Sequence, residues 1–344
     1  MSKRIEWLDA SKGILIALVV LGHIMPLGHL NSEDVGESIS SAFRMYIYAC
    51  HIPAFFIISG ILKSRLNYFS KTNTLKTVLF KQKKTFLYYI IFSIIFFGRY
   101  TVQFLAGQIS STDLLMFVYN TLMLVGMGVL WFLPAFIFSE ILFFILMTRG
   151  TPVKLIYILS VIVMLVFTSF KELHGIGDSF SPIVKLEGLF YRTMIGCSFV
   201  IIGYFMDKYK MFEPPILFVG VLSVGAFYNG NVDLNNLFFH NVFLYYFFAI
   251  SGTMLVFVIS KYVISLNKKF QDILIKWGGA TLLIMCTHAI LLVIQTSEMV
   301  SGRFFNNQAI IIISTFILSM IVETIMVVVY SNLRIKYNNR IIHL

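Results

Sequence analysis

The chain is a succession of apolar stretches about twenty residues long, separated by short polar segments and free of any sustained period-two alternation. A helix needs roughly 20 apolar residues to cross the hydrocarbon core of a bilayer. Stretches that fit centre on about 9–27, 43–62, 86–105, 129–147, 153–170, 186–206, 214–229, 239–260, 277–296 and 308–330. The pattern predicts an all-α integral membrane protein, a bundle of about ten transmembrane helices. A further apolar segment, about 113–128, resists this count. A full crossing there would put Lys261 to Lys276 on the opposite side from the other basic loops, so it reads as a re-entrant or surface helix just ahead of Trp131. No repeat or low-complexity linker divides the chain, and residues 1–344 read as one transmembrane domain.

Composition strengthens this reading. Hydrophobic residues make up 58% and charged residues 12% of the chain, about half the charged share of a soluble domain, and the mean hydropathy is +0.85. A net charge of +11 would suit a nucleic-acid partner if it formed one patch. Instead twenty of the 27 basic residues fall in alternate loops, against Arg44, Arg99, Lys171, Lys185 and Arg303 in the others. Such a bias is the positive-inside pattern. It orients the chain with both termini cytoplasmic and makes the bilayer, not nucleic acid, its partner. A multi-pass protein of the cell (plasma) membrane is expected. Lys12 and His23 interrupt the first apolar run, which reads as an uncleaved span and not as a signal peptide. Cys50, Cys197 and Cys286 lie singly in apolar stretches, where packing is the expected role; no metal site is predicted.

The first span carries the candidate chemistry. At roughly 100° per residue, Lys12 and His23 lie about 20° apart around a helix, and Asp9 within about 60° of either. At about 1.5 Å per residue, Lys12 and His23 are separated by roughly 16 Å along the axis, half the hydrocarbon thickness. Ionisable groups are expensive inside a membrane and tend to mark a site. His23 suits a general base that takes a hydroxyl proton, or a nucleophile that briefly carries an acyl group.

Asp9-x-x-Lys12-Gly13 followed by His23 resembles the first helix of the membrane acyltransferase-3 family, in its fucose-O-acetylase-like and surface-polysaccharide O-acetyltransferase branch. Three later stretches are similar to motifs of the same family: His51-Ile52-Pro53-Ala54-Phe55-Phe56-Ile57-Ile58-Ser59-Gly60, Leu130-Trp131-Phe132-Leu133-Pro134, and Gly278-Gly279-Ala280-Thr281-Leu282 through His288. The resemblance implies a membrane O-acetyltransferase. Acetyl-CoA, or another acyl-CoA, would be the cytoplasmic acyl donor, and the acceptor a sugar hydroxyl of a cell-surface or lipid-linked glycan. The implied partners are this glycan and polysaccharide-synthesis machinery. His23 would be the central catalytic residue, with Asp9 and Lys12 beside it. Lys81 and Lys84, with Lys12, would bind the CoA phosphates. The family commonly has Arg where Lys12 stands, and an Arg-x-x-Arg pair where this chain has Lys81-Gln82-Lys83-Lys84.

Other residues have two readings. The segment from Lys63 to Lys84 holds seven basic residues and no acid, which orientation and anionic headgroups explain for most of its length. His51 and His288 suit either a second shell around the site or a packing role, and Arg99 and Trp131 either substrate contact or interfacial anchoring. Glu140, Glu187, Arg192 and Glu323 fall within spans; a buried pairing of Arg192 with Glu140 or Glu187 would offset the desolvation cost, but the sequence does not show which residues meet. The alternative function is a transporter or exporter of a glycan intermediate or small solute, with Asp9, Glu140 and Glu323 in proton coupling.

Overall fold

The computed structural model describes residues 5–25, 35–66, 74–149, 179–211 and 216–342, with positions 155, 157, 158 and 161. These residues form α1 (Glu6–Ile24), α2 (Val35–Arg65), α3 (Leu75–Leu105), α4 (Ser111–Leu122), α5 (Phe132–Thr148), α6 (Pro182–Lys208), α7 (Ile216–Val224), α8 (Val242–Leu266), α9 (Lys268–Gly279), α10 (Thr281–Ile290), α11 (Val293–Phe304) and α12 (Gln308–Ile342). No strand occurs among the described residues; an isolated antiparallel bridge joins Asp233 and Phe238. Seven of the described helices are long and apolar enough to cross a membrane, or eight if the bent pair α9 and α10 counts as one.

Polar residues between the apolar runs set where helices begin. Thr74 accepts from the Thr77 amide at the start of α3, and Asn267 from the Lys269 and Phe270 amides at the start of α9. Pro182 opens α6, where its missing N–H is not needed. Ser110 and Asp113 form a capping box on α4. The Ser110 hydroxyl and amide both donate to Asp113 Oδ2, which holds that carboxyl below the usual carboxylate range.

The observed helices refine the expected spans in several places. The predicted span at 153–170 lies outside the described residues. The stretch expected at 214–229 is a nine-residue helix, α7, that tightens into a 3₁₀ turn over Gly225–Asn229. A Cβ at Gly225 would meet the Phe248 ring. The segment at 113–128 forms a twelve-residue helix, α4. At about 18 Å, it is too short for a hydrocarbon core of roughly 30 Å. The turn after α4 brings Gly126 to φ +72°, where a Cβ would also collide with the Leu130–Trp131 backbone. The expected single span at 277–296 is instead broken twice: α9 and α10 meet at Ala280 with a 76° bend, and Leu292 turns left-handed at the start of α11. Gly278 and Gly279 end α9 because glycine is the weakest helix former after proline, although apolarity continues through the break.

The residues fall into two compact units, Tyr48–Val258 and Lys3–Ile47 with Ile259–Leu344. In the first, α5 packs against α3 and α6, and the backbones of α2 and α6 touch where Gly60 faces the Val200 carbonyl and Gly203 the Ile57 carbonyl. Small residues of this kind let helices approach closely where lipid supplies no hydrophobic drive. In the second unit α1 packs against α9, α10 and α12, and α11 against α12.

Candidate active site

The N-terminal half of α1 is held from several sides within its unit. Glu6 accepts from Gln271 Nε2 at 3.0 Å, Lys261 Nζ lies 5.1 Å from the centroid of the Trp7 ring, and the Ser11 and Ser260 hydroxyls are 2.7 Å apart. The crossing with α9 is closer still. A Cβ at Gly278 would fall on the Asp9 carbonyl, and one at Gly13 on the Leu274 carbonyl, so both positions require glycine. This crossing fixes the backbone on either side of Lys12. Asp9 Oδ1 and Lys12 Nζ form an ion pair at 2.5 Å, with side chains 12% and 21% exposed. Asp9 also sits in the first turn, where the helix dipole favours an anion.

His23 stands in the last turn of α1 and is exposed, whereas Asp9 is buried. Beside it, His288 of α10 places its ring centroid 5.1 Å away with the planes inclined by 40°. His288 is fully buried, and its Nδ1 lies 2.8 Å from the Ile284 carbonyl. A carbonyl only accepts, so Nδ1 carries the hydrogen and Nε2 the lone pair. Nε2 is buried and has no hydrogen-bond partner among the described residues. The neighbouring Thr287 hydroxyl donates to Glu323 Oε2 at 2.7 Å, and Glu323 of α12 is fully buried. A structural acid in the midst of an apolar helix is the signal that Glu323 gave in the sequence; its link to the helix that carries His288 was not visible there.

The remaining predicted residues belong to the other unit. His51 is buried two residues before Pro53 of α2, in edge contact with Tyr48 at 5.1 Å. Lys81 and Lys84 are exposed on α3, and Lys84 Nζ lies over the Tyr88 ring. Gln82, between them, is buried and donates to Glu140 Oε2 at 3.4 Å. Arg99 lies over the Phe96 ring. Trp131 is buried at the end of the 3₁₀ turn Gly128–Trp131, with the Arg192 guanidinium 5.4 Å from its ring centroid.

The partners of Arg192, left open by the sequence, are neither Glu140 nor Glu187. Arg192 Nε and Nη2 donate to the Asn235 carbonyl at 2.8 and 2.5 Å, and Nη1 to the Val125 carbonyl at 3.1 Å. Two loop carbonyls and an aromatic face thus take the place of a carboxylate. Glu140 is occupied otherwise: it forms a buried ion pair with Lys63 and accepts from Ser59 Oγ at 2.6 Å. Lys63 also donates to Ser59 Oγ at 2.7 Å. Read as part of a basic, orienting loop, Lys63 is in fact a buried member of a network joining α2, α3 and α5. Among the described residues, no three or more His, Cys, Asp and Glu side chains gather as a metal site would require.

Seven or eight described helices of this length and apolarity are those of a multi-pass membrane protein. The family model described as an acyltransferase domain matches residues 5–328. The chain therefore belongs to the membrane acyltransferase-3 family and is a membrane acyltransferase. No curated protein and no solved structure matches it.

Proposed function

We propose that the chain is an O-acyltransferase that moves an acetyl or similar acyl group from cytoplasmic acyl-CoA to a sugar hydroxyl of a cell-surface or lipid-linked glycan. It would do so in the plasma membrane, within a bundle of about ten spans and with both termini inside. The observation that carries this reading is the exposed His23 against the buried His288, at the opposite end of α1 from the Asp9–Lys12 pair. One helix thereby bears a fixed cation near one membrane surface and a base about 16 Å further along. In the reaction His23 takes the proton of the acceptor hydroxyl as its oxygen attacks the thioester carbonyl. The C–S bond breaks, the CoA thiolate leaves, and the proton held on His23 passes to it, so the histidine is returned unchanged. His288, fully buried and packed ring against ring with His23 at 5.1 Å, is suited to limit the rotation of the neighbouring imidazole. Lys12 offers charge to the donor as a point cation without the bidentate fork of Arg. Family membership stands against the carrier alternative.

The test is incubation of purified full-length protein with radiolabelled acetyl-CoA, alongside acetyl analysis of surface glycan from cells carrying His23→Ala. Turnover by the wild type and loss of glycan acetyl groups in the variant are expected. Unchanged acetylation with folded His23→Ala would overturn the proposal.

A further inference from the structure

The face of α1 opposite Asp9, Lys12 and His23 is also specialised. Ile14, Ala17, Leu18 and Leu21 follow the i, i+3, i+4, i+7 spacing and lie roughly 180° around the helix from Lys12 and His23. They form one wall of a groove of about 620 Å³. Ile317 and Ile321 of α12 line the other wall, and Ile273 and Trp277 of α9 lie along it. The Trp277 indole N–H donates to Thr324 Oγ1 at 2.9 Å, so the polar groups of the wall satisfy each other and the groove offers apolar surface only. Ile273, Ile317 and Ile321 are substantially exposed.

The rim has a different character. α9 is amphipathic: it turns Ile273, Leu274 and Trp277 to the groove and carries three lysines, Lys268, Lys269 and Lys276, against the single acid Asp272. Lys269 and Lys276 are exposed and lie one turn to either side of Ile273. A short amphipathic helix with basic flanks, bent by 76° from the helix that follows, has the form of an element lying in the membrane interface. An apolar slot with cations at its rim fits a chain bearing an anionic head. It does not fit the acyl donor, because it opens on the face of α1 turned away from His23.

We propose that this groove binds an anionic phospholipid, one acyl chain lying between α1 and α12 and the phosphate headgroup against Lys269 and Lys276. The site holds α1 from behind and is independent of the acyl-transfer reading. The lipid is a bound partner and undergoes no reaction.

The test is native mass spectrometry of the full-length protein, purified in detergent and titrated with phosphatidylglycerol or with phosphatidylcholine of the same chains. One phosphatidylglycerol should be retained in preference. At about 1 kcal/mol for each lysine near an anionic headgroup, Lys269→Gln with Lys276→Gln should weaken its binding roughly 30-fold, to the level of phosphatidylcholine. Ala17→Trp, which fills the groove and leaves the lysines in place, should remove both lipids. Equal binding of the two lipids by the wild type would overturn the proposal. So would undiminished phosphatidylglycerol binding in Ala17→Trp, or a groove variant that dissociates a dimer while lipid binding is unchanged. Failure of acetyl transfer in any assay leaves these outcomes untouched.

Discussion

The imidazoles of His23 and His288, on helices from opposite ends of the chain, lie with ring centroids 5.1 Å apart, one exposed and the other fully buried. The difference in burial separates two consequences of substitution. His23→Ala removes an exposed side chain at a helix end, so stability should change by less than about 0.5 kcal/mol. Loss of a general base should lower turnover about 100-fold or more. His288→Ala should lower turnover and also destabilise the protein by about 2 kcal/mol or more, because it empties a buried site and deletes the bond to the Ile284 carbonyl. Thermal unfolding in detergent and turnover with labelled acetyl-CoA, measured on the same preparations, check both.

Glycines at the α1–α9 crossing should respond in the opposite sense to a glycine elsewhere. Gly278→Ala drives a methyl group into the Asp9 carbonyl, and Gly13→Ala one into the Leu274 carbonyl. Each forces a backbone shift, and overpacking of this kind costs about 1–3 kcal/mol. Gly98, within α3, has nothing within 4 Å of its would-be Cβ. Gly98→Ala should therefore stabilise by about 0.5–1 kcal/mol through helix propensity alone. Comparing unfolding midpoints of the three variants decides it. Gly278→Ala should in addition lower activity, since the Asp9 backbone it displaces carries the Lys12 partner.

The buried Lys63–Glu140 pair predicts strong non-additivity. Glu140→Leu leaves the Lys63 ammonium in a buried site without its carboxylate and should cost about 3–5 kcal/mol. Glu140→Leu combined with Lys63→Met removes both charges and should recover most of that loss. A double-mutant cycle on unfolding free energy measures the coupling. Additive losses would show that the pair contributes little.

How far the fold can be read from the sequence depends on what each position has to do. The span at 308–330 is apolar over almost its whole length, Glu323 being its single charge, and such a run in lipid has no option but helix. The break at Ala280 is different, because Trp277 and the residues from Leu282 to Ile284 keep the segment apolar across two helices, and only Gly278-Gly279 hints at the bend. That Asp9 and Lys12 share a face of α1 was legible from helical spacing; that they pair is shown by the structure. The approach of His23 to His288 was not, since spacing along one helix says nothing of which other helix lies beside it. Arg192 shows the same limit more sharply. A buried guanidinium suggests a carboxylate, yet its partners are carbonyls of Val125 and Asn235, and every residue type carries that acceptor.

Arg192 also offers a test of geometry against charge. Its three N–H donors reach two separate loops while its plane lies over Trp131. Lysine keeps the charge but not the fork or the flat face. Arg192→Lys should therefore destabilise by about 2 kcal/mol, leaving at least one loop carbonyl without its buried donor. A change below about 0.5 kcal/mol in chemical unfolding would show that charge alone suffices there.

Lys12 poses the converse question, because its assigned role is charge. Its Nζ is paired with Asp9 and its side chain is 21% exposed, so the ammonium stays within reach of solvent and of an incoming donor. If the role is to hold negative charge near the start of α1, Lys12→Arg should retain activity, and Lys12→Met, similar in length and uncharged, should abolish it. Asp9→Asn tests the pair from the other side. It removes the countercharge and leaves Lys12 in place, so the KM for acetyl-CoA should move less than it does for Lys12→Met. Steady-state kinetics of the three variants over a range of acetyl-CoA concentrations separates these cases. Equal loss in Lys12→Arg and Lys12→Met would mean that lysine is needed for its shape, or as a proton donor, and not for its charge.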